Sequence, residues 1–155
     1  MIKIKTAAFL ILVLFLFNNC GYTPQYAKKD NLNFSIELTG LSGDRDFNNA
    51  LKRKLSKYSI KEGIENKIFK ISAISKYEKN TSLKDSSGTA AEYELIIKVN
   101  FKVNYENTEK NIILKDSFLM KKMSDSFEES NYEKIIKNNF ADSIKEKLLF
   151  NLINM

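Results

Sequence analysis

EYELIIKVNFKVNY, Glu92 to Tyr105, carries an apolar side chain at almost every second position: Tyr93, Leu95, Ile97, Val99, Phe101, Val103 and Tyr105. Glu92, Glu94, Lys98, Asn100, Lys102 and Asn104 stand between them, and only Ile96 breaks the alternation. Side chains of an extended chain point alternately to opposite faces, so this segment has one dry face and one wet face. That pattern predicts a long antiparallel strand, half-buried, rather than a fully buried parallel one. Asn107 to Lys110 read as a turn, and Ile112, Leu114, Phe118 and Met120 return on one face, interrupted by Asp116. The two segments together predict a long hairpin.

Upstream, Phe69, Ile71, Ala73 and Tyr77 alternate with Lys70, Ser72, Lys76 and Glu78 as another strand, and the polar stretch Lys79 to Gly88 reads as a loop. Further upstream, Leu32, Phe34, Ile36 and Leu38 form a first strand that Gly40 and Gly43 are expected to end. Asp44 is placed to cap a helix in which Phe47, Leu51, Leu55 and Tyr58 recur at helical spacing. Downstream, Ser130 and Glu133 have capping-box spacing. Tyr132, Ile136, Phe140, Ile144, Leu148 and Leu152 then make a single apolar stripe along a long final helix. The order β-α-β-β-β-α predicts an α+β fold: a four-stranded, mostly antiparallel sheet with two helices packed on one face and a polar opposite face. Strands two to four are expected as a meander, with strand one placed beside them by a crossover through the first helix.

The whole chain has 155 residues, which suits one ordinary domain, and 11 Phe with 7 Tyr supply a core. It contains no His and one Cys. A catalytic His, a His-liganded metal and an internal disulfide are therefore excluded, and no phosphate-loop, dinucleotide-binding or Ser-x-x-Lys pattern is present. No catalytic residue, no cofactor and no metal is expected. The formal charge of +6 comes from 25 basic residues, of which only Arg45 and Arg53 are arginine. Nucleic-acid readers favour the forked guanidinium, so the basic excess is read as Lys-rich composition and no nucleic acid is expected as a partner.

Lys3 and Lys5 precede an unbroken apolar run from Ala7 to Phe17. Eleven residues are too few to span a bilayer, which takes about 20, but they suit the apolar centre of a secretory signal peptide. Asn18, Asn19, Cys20 and Gly21 follow, so the single cysteine stands where such a signal gives way to the mature chain. Residues 1–19 are accordingly read as signal peptide and 20–155 as a single domain. Cys20 is the expected lipidation site: its thiol can be alkylated by a diacylglyceryl group, and acyl chains such as palmitate then anchor the new N-terminus in a membrane.

Cys20-Gly21-Tyr22-Thr23-Pro24 after the apolar run, together with Thr89-Ala90-Ala91-Glu92-Tyr93-Glu94-Leu95 opening the long strand, resembles the LptE family of lipopolysaccharide-assembly lipoproteins of Gram-negative bacteria. The likeness extends over essentially the whole mature chain, and departs from the family pattern at Asn18 and Asn19, where small residues are usual. It implies a lipoprotein of the outer membrane, on the periplasmic side, that plugs and helps assemble an LptD-type β-barrel and contacts lipopolysaccharide during its transport. The meander should bring Lys84, Lys121 and Lys122 to one end of the sheet, beside the first turn of the last helix. Those three ammonium groups are the candidate contacts to lipopolysaccharide phosphates. The competing reading is a free-standing, membrane-anchored periplasmic binding lipoprotein.

Overall fold

The architecture comes from a computed structural model, which describes residues 34–60 and 67–155. Residues 1–19, expected as a signal peptide, and Cys20 lie outside the described residues, as does Leu32 of the expected first strand. Strand β1 (Phe34–Ser42) leads into helix α1 (Arg45–Leu55) and a single 3-10 turn (Ser56–Tyr58). Three long strands follow, β2 (Lys67–Lys84), β3 (Ala90–Tyr105) and β4 (Thr108–Lys121), and the chain closes on helix α2 (Ser126–Ile153). The sheet order is β1-β2-β3-β4. β1 runs parallel to β2, as a connection through a helix allows, and the other two pairings are antiparallel. This is the expected α+β arrangement.

The alternation in β3 sets the core. Leu95, Ile97, Val99, Phe101 and Val103 are fully buried, and the register lays Ile71, Ala73, Ser75 and Tyr77 of β2 beside Val103, Phe101, Val99 and Ile97. On the other side, Ile112, Leu114, Asp116, Phe118 and Met120 of β4 meet the same face. Over it α2 lays Ile136, Phe140, Ile144, Leu148 and Leu152, all buried, as a stripe with one residue per turn. α1 adds Phe47, Ala50, Leu51 and Leu55, and Lys54 reaches Asp142 of α2 at 2.6 Å. At the far end Phe69 is enclosed by Phe34 and Tyr105, with ring centroids 5.4 and 4.9 Å away.

Several local readings differ from the sequence expectation. β1 passes through Gly40 to Ser42, and its register against β2 shifts between Leu38 and Gly40, so the glycine sits at a bulge rather than a stop. The stretch Lys79–Lys84 is strand, not loop, because it pairs with the opening of β3. The connection from β3 to β4 is shorter than Asn107 to Lys110: Glu106 adopts φ 50° and β4 resumes at Thr108. Helix α2 begins before Ser130. Asp125, in extended conformation, accepts from the backbone N–H groups of Phe127 and Glu128 and is the true N-cap. Asp125 and Glu128 have the same spacing as Ser130 and Glu133, and the earlier pair begins the helix.

The uncovered face is not uniformly polar. Ile74 and Ile113 flank Asn100 across the three strands and are more than half exposed, as is Leu119. At the outer edge of β4, beside which no strand lies among the described residues, Lys147 of α2 donates to the main-chain carbonyl of Lys115 at 3.0 Å and pairs with Asp116 at 3.4 Å.

Candidate functional site

The three lysines singled out from sequence do share one end of the sheet. Lys84 stands opposite Ala90, Lys121 opposite Glu92, and the backbone N–H of Lys122 donates to the Ala91 carbonyl at 3.0 Å. All three side chains are exposed, and α2 starts four residues beyond Lys122. Acidic groups share the end. Asp85 closes the β2–β3 turn, its carboxylate accepting from Ser87 Oγ at 2.6 Å and from the N–H groups of Ser87 and Thr89 at 2.9 Å. Those bonds, Ser87 first, hold its carboxyl below the usual carboxylate range, and the charge of Lys122 adds to the effect. A ligand phosphate there would meet three ammonium groups and a fixed anion together.

Behind this end lies a charged seam between α2 and the sheet that the sequence did not disclose. Lys79 Nζ donates to Glu129 at 2.8 Å and Glu133 at 3.0 Å, and sits 4.5 Å from the Tyr93 ring centre. Lys137 Nζ donates to the α1 cap residue Asp44 at 2.7 Å and lies 4.0 Å from the Tyr77 ring centre. The side chains of Lys137 and Asp44 are only 12% and 17% exposed, so this pair is well shielded from water and joins the start of α1 to α2. Burial, then the neighbouring Glu133 carboxylate, pushes the Tyr77 phenol far above its ordinary range. The seam occupies the same sheet face as the apolar core, where hydrophobic alternation stops and Lys79 and Thr81 take the inward positions.

Glu129 provides a pH test of that seam. The Lys79 ammonium, and then the Met123 N–H at 3.1 Å, hold its carboxyl below the ordinary glutamate value. A folded-state value depressed below the unfolded one stabilises the domain at neutral pH, and this contribution is lost as the pH falls through the folded value. The native protein should therefore melt above the Glu129→Gln variant at pH 7, with the gap closing below about pH 4, the unfolded glutamate range. A gap constant from pH 7 to pH 3 would show that the carboxylate charge is not what holds α2 there.

A second cationic feature lies on the opposite, uncovered face. The register places Lys76, Lys98 and Lys115 directly opposite one another across β2, β3 and β4. Like charges in facing positions destabilise a sheet. Glu78 relieves the row at one end, pairing with Lys76 at 2.6 Å, while Lys98 has no ion pair among the described residues. Ile74 and Ile113 lie on one side of this row and Ile96 on the other, so ammonium groups are bracketed by hydrocarbon. The arrangement can present positive charge to an anion but assembles no nucleophile with a base. Among the described residues no group of three or more His, Cys, Asp or Glu is placed to hold a metal ion. None of the described helices is long and apolar enough to cross a membrane.

No family model matches the chain, and no curated protein matches it in sequence. Solved structures do match. The fold is one found in bacterial lipoproteins. The crystal structure of the rare lipoprotein B from Shewanella oneidensis is 20% identical, with a TM-score of 0.57 over 76% of this chain and 96% of that one. A minor lipoprotein from Acinetobacter baumannii is 15% identical, with a TM-score of 0.50 over 76% of this chain and 92% of that one. At such identities the likeness is one of fold, and it takes in nearly the full length of both neighbours.

Proposed function

We propose that this protein is an outer-membrane lipoprotein, anchored through Cys20, that plugs and helps assemble an LptD-type β-barrel and contacts lipopolysaccharide on its way to the cell surface. The observation that carries the reading is the one-sided sheet in a fold shared with bacterial lipoproteins. Both helices lie on one face, while the other presents Lys76, Lys98, Lys102 and Lys115 with Asn100, Asn104 and Asn111. Such a face suits the polar lumen of a large outer-membrane barrel. A ligand with phosphates beside acyl chains matches ammonium groups bracketed by isoleucines, and Lys84, Lys121 and Lys122 add charge at the sheet end. Binding and assembly, without catalysis, fit a chain that has no His and no thiol other than Cys20.

Purification of the native protein from detergent-solubilised outer membranes tests the reading. It should copurify with an approximately stoichiometric large β-barrel and carry an acylated Cys20 as its first residue. Recovery as a free species, or with Met1 intact, would overturn it. For the sheet-end lysines, replacing Lys84, Lys121 and Lys122 together by Glu should weaken binding to purified lipopolysaccharide and flatten its salt dependence. Each exposed ion contact is worth only about 0.2–1 kcal/mol, so the triple variant is the informative one. Unchanged affinity in a folded triple variant would remove these three residues from the contact surface.

A further inference from the structure

β1 is an edge strand: β2 pairs with one side of it, and among the described residues no strand pairs with the other. Along it, the segment from Leu38 to Gly43 and one face of α1 enclose a groove of about 450 Å³, within the size range of binding clefts. The α1 wall consists of Arg45, Asn48, Asn49 and Lys52, whose spacing puts them on a single helix face. No Asp or Glu lines the groove. Among the described residues the Arg45 side chain, 88% exposed, has one ion contact, the adjacent Asp46 at 3.8 Å, and Lys52 has none. Asn48 is only 8% exposed, yet one end of its amide is bonded to Ser75 Oγ at 2.9 Å and the other has no partner among the described residues. Leu38 and Leu41, packed against the core, supply the apolar part.

An open strand edge offers main-chain donors and acceptors to another extended chain. Here that edge faces a helix wall bearing amide groups and two cations, Lys52 without an ion pair among the described residues and Arg45 with only a long contact to its exposed neighbour Asp46, so the complementary strand is an acidic one. We propose that this groove binds an extended acidic polypeptide segment, which adds to the sheet beside β1 and directs its carboxylates to Arg45 and Lys52. The bulge between Leu38 and Gly40 twists this edge and keeps the added strand short.

Nuclear magnetic resonance titration of the full-length protein with a synthetic decapeptide alternating Glu and Val tests it. Amide shifts should be confined to residues 38–43 and 45–52. Affinity should fall about tenfold in the Arg45→Glu/Lys52→Glu double variant, as reversal of complementary charge predicts. Two further peptides, N-methylated at the odd or at the even residues, keep their charges but lose alternate main-chain donors. One of the two should lose binding, since only one set faces β1. Absence of binding, shifts elsewhere in the sheet, equal affinity for a Lys-Val peptide, or full binding by both N-methylated peptides would overturn the proposal. Binding of inorganic phosphate or anionic vesicles at these residues in place of the peptide would overturn it too.

Discussion

Ile97→Asp and Phe101→Asp should each strongly destabilise the domain, whereas Lys98→Asp and Asn100→Asp should leave its melting curve almost unchanged. Ile97 and Phe101 are wholly buried in the middle of β3, between β2 and β4. A carboxylate at position 97 would face Tyr77 on one side and Asp116 on the other, adding like-charge repulsion to its own desolvation. At position 101 it would face Ala73 and Ile112, with no cation opposite. Either change should cost several kcal/mol out of a total of about 5–15. Positions 98 and 100 point to the uncovered face and are exposed, and removing the central ammonium of the Lys76–Lys98–Lys115 row relieves repulsion. Urea unfolding followed by circular dichroism separates the two pairs. Equal midpoints would mean that the faces of β3 have been assigned the wrong way round.

A second large effect is expected at Gly43, which joins β1 to the cap of α1. Its φ is +105°, a region that side chains rarely enter, and an added Cβ would lie 1.8 Å from the Ser75 carbonyl oxygen. Ser75 cannot yield, because it lies in mid-β2 opposite Val99, and its hydroxyl receives the N–H of Asp44 at 3.0 Å. Gly43→Ala should therefore cost about 3 kcal/mol or more, combining backbone strain with overpacking. Gly40→Ala is the control, since nothing lies within 4 Å of the position its Cβ would take. Thermal melts of the two variants that coincide would show that β1 and α1 can be joined by another path.

The elements legible in the sequence are those whose burial is apolar. β3 alternates because one face packs under α2, and the α2 stripe from Ile136 to Leu152 has helical spacing for the same reason. The second half of β2 was missed because its inward residues, Lys79 and Thr81, carry no apolar signal; Lys79 is held by carboxylates of α2 instead. The start of α2 was misplaced because two capping-box spacings occur five residues apart, and the backbone donors go to Asp125. Of the candidate site, the meeting of Lys84, Lys121 and Lys122 at one sheet end followed from topology. The Lys76–Lys98–Lys115 row needed strand register, which hydrophobic alternation fixes only to a face and not to the facing residue.

Lys147 gives the outer edge of β4 a history as well as a geometry. In the folded chain its ammonium occupies the Lys115 carbonyl and pairs with Asp116, putting a charge across the middle of an edge strand. Charged side chains so placed discourage edge-to-edge polymerisation, to which a long strand with outward Ile113 and Leu119 is otherwise open. This guard is made last. A chain emerging from its N-terminal end completes β2, β3 and β4 before Lys147 exists, so the hairpins pass through an interval in which that edge is unprotected. Docking of α2 is thus the step that removes the aggregation hazard as well as the step that covers the core.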